Sequence, residues 1–317
     1  MSIEQKKMEK EKKKLPTGTI IGVLIKSSKL VKFVKLIKLA KYAKYLITLI
    51  TMLISALVYG WRFGIWFGVG LVLLLFVHEM GHVWAMKQKG YPTKAPIFIP
   101  LLGAVIFSPP FKSREDESYI GFMGPLIGSI GALALYGVWA LLPSKPEILV
   151  LLVYIGLWIN LFNLIPIRPL DGGRVLQSTG TWYKWIGLSM VIAIIVIMQA
   201  PQFIVILILS VDDFVKKIKE RVMIRMGLIC TIVLAYILGP GINIEFWIDM
   251  FLAFMLISVD LIIYWPKRND QKIEPEKDIR PFPDKHIKIA WLTAFFALAA
   301  LLMGIMVYLL PQMPKMK

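Results

Sequence analysis

The stretch Phe63–Val77 carries no charge and runs directly into His78-Glu79-Met80-Gly81-His82. A soluble chain would interrupt such a run with polar residues on a helical period, so the stretch reads as a membrane helix. Ionisable groups near a bilayer centre cost about 2.5–3.5 kcal/mol each and are kept there for function. Two imidazoles four residues apart stand on one face of a helix. That separation lets both reach one zinc ion at about 2 Å. A carboxylate between them can accept a proton from water that the metal activates. His78 and His82 are two of only three histidines in the chain.

The rest of the chain extends the membrane reading. Hydrophobic residues make up 57% of 317, and mean hydropathy is +0.69, well above soluble usage. The single Cys230 excludes an intrachain disulfide. Candidate spans are Leu46–Tyr59, Phe63–Met86 after a break at Trp61-Arg62, Tyr119–Leu142, Ile148–Ile167, Trp185–Met198, Phe203–Val211, Met226–Leu238, Ile244–Trp265 and His286–Leu310. Several fall short of the roughly 20 residues of a straight crossing and require tilt or partial insertion. The expected fold is an all-α polytopic membrane protein of about nine transmembrane segments. The expected organisation is a basic arm over 1–45, a membrane-embedded core over 46–215, and further membrane helices with a basic loop over 216–317.

Charge sets the orientation. Residues 1–45 hold thirteen Lys against three Glu, and no short apolar core with a small-residue cleavage site marks a signal peptide there. Beside membrane spans such an arm points to anionic lipid of the inner leaflet rather than to nucleic acid. From Lys26 to Lys44 a lysine recurs at every third position, so the charges wind around a helix whose lysines can snorkel from the membrane surface. With the arm inside, Lys87–Lys94, Lys112–Arg114, Arg168–Lys184, Lys216–Arg225 and Lys267–Lys285 all fall on the cytoplasmic side.

Pro96–Pro109 is apolar, rich in β-branched and aromatic residues, and broken by Gly and Pro. It is too short to cross twice as helix and reads as a hairpin re-entering the membrane, with Pro100 confining its strand to an edge. Such an edge beside a metal can hold an extended peptide. Gly121, Gly124, Gly128 and Gly131 line one face of the third span, a pattern for close helix packing that requires no chemistry.

A catalytic zinc takes a third protein ligand and leaves one position open. His286 lies in a basic loop. Asp171 is better placed, because two prolines and two glycines in Pro166–Gly173 break the helix and free the backbone to turn a carboxylate inward. Glu245 and Asp249 share a face near an outer helix end and read as interfacial charges, a second ion site being the alternative, and Asp260 in the same span has no role assigned.

His78-Glu79-Met80-Gly81-His82, followed by Asn163-Leu164-Ile165-Pro166 and Leu170-Asp171-Gly172-Gly173, resembles the site-2 protease family of intramembrane zinc metalloproteases. The family pattern is HExxH on one membrane helix and N-x-x-P-x-x-x-x-D-G on a later one. Gly124-Pro125 and the apolar hairpin also look like family features, and the resemblance spans about residues 55–180. It implies that His78, His82 and Asp171 bind zinc, that Glu79 is the general acid/base, and that Asn163 positions the substrate carbonyl or stabilises its developing charge. The implied substrates are transmembrane segments of other proteins. Pro143–Glu147 leaves no room for the PDZ domain many members carry between these spans, and the C-terminal part reads as membrane helix rather than a soluble sensor.

Two other functions use the same residues. A metal transporter would continue polar groups across the membrane, and Phe63–Val77 offers none. A non-cleaving scaffold would have lost Glu79 or a ligand, and all are present.

Overall fold

The computed structural model describes residues 45–100, 103–106, 108–198, 203–214, 224 and 280–313. Four of its helices are long and apolar enough to cross a membrane: Tyr45–Phe63 (α1), Ile65–Gln88 (α2), Arg114–Leu141 (α3), and the C-terminal Lys285–Leu309 (α8), which a 3₁₀ turn extends to Gln312. Between them lie the shorter helices Glu147–Asn163 (α4), Asp171–Leu176 (α5), Tyr183–Met198 (α6) and Ile204–Phe214 (α7). The predicted spans Met226–Leu238 and Ile244–Trp265, most of the basic arm, and Glu245, Asp249 and Asp260 lie outside the described residues.

Helix boundaries follow local chemistry. The break between α1 and α2 falls at Gly64 rather than at Trp61-Arg62, because Gly64 adopts φ 94°, a left-handed conformation cheap only for glycine. α3 opens on Ser113, whose hydroxyl accepts from the Asp116 N–H at 3.0 Å. Glu115, Asp116 and Glu117 follow in its first turn, where negative charge suits the positive helix end. α4 stops at Asn163, two residues short of the Ile165-Pro166 step that α-helix disfavours.

One apolar core joins α2, α3, α4, α5 and α8. Leu71 and Leu74 of α2, Ala132 of α3, Val153 and Leu157 of α4, Leu176 of α5 and Leu302 of α8 are all buried within it. The C-terminal helix is therefore part of the same packed unit as the motif-bearing helices. A second cluster unites Val83 and Met86 of α2 with Ile120 and Met123 of α3, around the end of α2 where the histidines lie.

The expected hairpin forms as two antiparallel strands, Ile97–Ile99 (β1) and Gly103–Val105 (β2), paired Ile97 with Val105 and Ile99 with Gly103. Pro100 falls just past β1, in the turn rather than in a strand, so the turn absorbs its missing donor. α1 clasps β1. Thr48 donates to the Pro96 carbonyl at 2.7 Å, and the Phe98 N–H donates to Thr51 Oγ1 at 3.2 Å. The Phe98 ring is buried against Ala56 and Val72.

Candidate metal centre

α2 brings His78, Glu79 and His82 into the interior, where all three are buried. One turn apart, the two imidazoles meet edge to face with centroids 5.0 Å apart. Asp171, first residue of α5, is brought over by the reversal after α4. That reversal is tight: a Cβ on Gly172 would stand 2.2 Å from the Leu164 carbonyl oxygen.

Three donor atoms converge. Asp171 Oδ2 lies 3.1 Å from His78 Nε2 and 3.2 Å from His82 Nε2, and the two Nε2 atoms are 3.2 Å apart. Ligand atoms held tetrahedrally at 2.0–2.1 Å from one ion would be separated by about 3.3–3.4 Å. Two ring nitrogens facing each other beside one carboxylate oxygen are reconciled by a shared cation. The set of two imidazoles and a carboxylate is that of a hydrolytic zinc site, so the residues fit a metal ion. Among the described residues this is the one His/Cys/Asp/Glu cluster with such convergence.

The remaining ring nitrogens are also engaged. His82 Nδ1 donates to the Ile120 carbonyl and His78 Nδ1 to Asn160 Oδ1, each at 2.7 Å. Both acceptors are carbonyl oxygens that can only accept, which places the proton on Nδ1 and leaves each Nε2 lone pair facing Asp171. Asn160 was not among the residues the motifs pointed to. The signal that could have found it is an amide in the middle of an apolar helix, where it must be paired.

The glycine stripe of α3 does more than admit another helix. A Cβ on Gly124 would sit 2.2 Å from the His82 ring, and one on Gly128 would sit 2.3 Å from Asn160 Oδ1. The expectation of backbone packing without a chemical role is therefore too narrow, because these two positions are filled by the side chains of the site.

A cavity of about 400 Å³ opens onto the cluster, lined by His78, Glu79, His82, Asp171, Asn163 and the strand β2. Glu79 borders it between the two histidines. Asn163 borders it too, and its side-chain amide donates to its own helix at Ile159 O, 3.0 Å away. His286 is exposed at the start of α8, apart from the cluster.

Apolar helices thus place two imidazoles and a carboxylate, a donor set that fits a metal ion, at the head of a cavity. Residues 66–146 match Peptidase family M50, which agrees with the resemblance of the chain's motifs to the site-2 protease family. Similar curated proteins include the zinc metalloprotease MJ0392 of Methanocaldococcus jannaschii, 32% identical over 34% of this chain and 33% of its own length. The putative zinc metalloprotease Rip3 of Mycobacterium tuberculosis is 30% identical over 41% of this chain and 33% of its own length. The chain thus spans about a third of the length of the curated relatives it matches. The solved site-2 protease from Methanocaldococcus jannaschii aligns at 24% identity over 53% of this chain and 85% of that one, with a TM-score of 0.36.

Proposed function

We propose that this protein is an intramembrane zinc endopeptidase that cuts transmembrane segments of membrane-anchored proteins, the releasing step of regulated intramembrane proteolysis. The observation that carries the reading is the convergence of His78 Nε2, His82 Nε2 and Asp171 Oδ2 on one point of a cavity that Glu79 also lines. His78, His82 and Asp171 would hold zinc, which would supply Lewis acidity toward the scissile carbonyl and toward water near neutral pH. Glu79 takes the proton of the attacking water and delivers it to the leaving amine. Asn163 offers its amide to the carbonyl oxygen as negative charge builds there.

The hairpin supports a strand-like mode of substrate binding. Thr51 occupies a main-chain N–H of β1, whereas β2 lines the cavity, so an unwound substrate segment can pair along β2. In this reading the hairpin re-enters the membrane from the inner side, where irregular backbone is tolerated against protein and a watered cavity. The full chain makes about nine crossings, divided into arm (1–45), protease core (46–215) and C-terminal helices (216–317). The N-terminus and site face the cytoplasm of a bacterial or archaeal cell, and the arm binds anionic lipid.

The test is purified protein reconstituted with zinc and a model single-span substrate. Glu79→Gln should lose cleavage by about 10²–10⁴-fold while retaining the metal. Substantial turnover by a well-folded Glu79→Gln protein would overturn the mechanism.

A further inference from the structure

We infer that Asn160 is a positioning residue for the metal centre, holding His78 with Nδ1 protonated and Nε2 turned to the ion, and that Gly128 provides the space it occupies. The inference rests on the reading of His78 as a zinc ligand. Asn160 is 3% exposed on α4, where an unpaired amide would be costly. Both ends of the amide are used. Its Nδ2 donates to the Gly156 carbonyl at 2.7 Å, and its Oδ1 accepts from His78 Nδ1 at 2.7 Å.

The order of these bonds is forced. The Gly156 carbonyl can only accept, so the NH₂ end faces it and the oxygen faces His78. That oxygen can only accept in turn, so the proton resides on Nδ1 and the Nε2 lone pair points at Asp171 and His82. Orientation thus passes from the main chain of α4 through Asn160 to a ligand on α2. His82 takes the same orientation from a backbone carbonyl, Ile120 O, which no side-chain change removes. His78 depends on a single side chain. That side chain depends on Gly128, since a Cβ there would stand 2.3 Å from Asn160 Oδ1 and 3.0 Å from its other amide atoms.

Zinc affinity of the full-length chain in detergent, measured by competition with a chelator, is one readout. The ¹⁵N NMR pattern of His78 in the zinc-free protein is the other. Asn160→Leu keeps the bulk and removes the acceptor; it should weaken zinc about 10–100-fold and move the His78 proton away from Nδ1. Gly128→Ala should weaken zinc in the same direction without touching a ligand. Asn160→Asp restores an acceptor for Nδ1–H and should recover most of the affinity. Wild-type affinity in Asn160→Leu, or an unchanged His78 spectrum with loss only of zinc-free stability, would overturn the inference and leave Asn160 a packing residue. Should Asn160→Leu fail to fold, the zinc-free wild type decides, because a His78 protonated on Nε2 would equally overturn it. A wild-type chain that binds no zinc would instead overturn the metalloprotease reading beneath it.

Discussion

Asp171 is the carboxylate brought from the far side of the site, and its oxygen lies between two imidazoles at 3.1 and 3.2 Å; in the proposed mechanism it is the third zinc ligand. Without it, two histidines leave the metal under-coordinated and their Nε2 atoms facing each other unbridged. Asp171→Ala should therefore lose both zinc and activity, whereas Asp171→Asn should retain weak binding through its remaining oxygen. Metal analysis after dialysis checks this: stoichiometric, tightly held zinc in Asp171→Ala would assign the third ligand elsewhere. The three members of this cluster were legible in the sequence because each is announced locally, the histidines by a one-turn spacing and Asp171 by the prolines and glycines around it. Asn160 and Gly128 were not. Their pairing depends on α2, α3 and α4 meeting at one level, and no single helix records that.

At the scale of elements, α1 and the hairpin act together through two threonine hydroxyls. Thr48 is buried where it meets the Pro96 carbonyl, so its loss strands an acceptor at the start of β1. Thr48→Val should loosen the hairpin and slow cleavage of a transmembrane substrate about fivefold, the equivalent of a hydrogen bond worth about 1 kcal/mol. Zinc affinity should be unchanged, and a parallel fall in zinc would show that the clasp supports the metal rather than the strand. A second junction lies at the start of α3. Glu117, buried, accepts from Arg168 at 2.6 Å and from Arg280 at 2.9 Å. One carboxylate thereby ties α3 to the loop ahead of Asp171 and to the approach to α8. Arg114 adds to the junction by lying 4.3 Å over the Phe282 ring. Glu117→Gln should lower stability by about 1–3 kcal/mol by removing the buried charge that both guanidiniums meet, read as a drop in unfolding temperature. The hairpin was legible from composition, with its proline displaced into the turn. The Glu117 junction was not, since it joins residues 51 and 163 positions apart.

For the whole molecule, sidedness decides where the products go. Thirteen lysines lie within residues 1–45, and the Lys/Arg-rich segments 87–94, 112–114, 168–184 and 267–285 fall on one side of the proposed topology. Exporting any one of these clusters would oppose the bias that retains positive charge inside. The ends of α2 and α4 must also share a side, because Asp171 follows α4 and meets the histidines near the end of α2. The arm and the metal centre should therefore both face the cytoplasm. Binding of the arm to anionic vesicles should be worth about 1 kcal/mol per basic residue close to the surface and should weaken as added salt shortens the Debye length. Deleting residues 1–25 should reduce that binding and leave cleavage chemistry intact, since no ligand lies there. A thiol introduced by Lys7→Cys, in a Cys230→Ser background, should react with a membrane-impermeant reagent only after the cells are opened. Labelling of intact cells would place the arm outside, and the released fragments would then leave the cell rather than enter the cytoplasm.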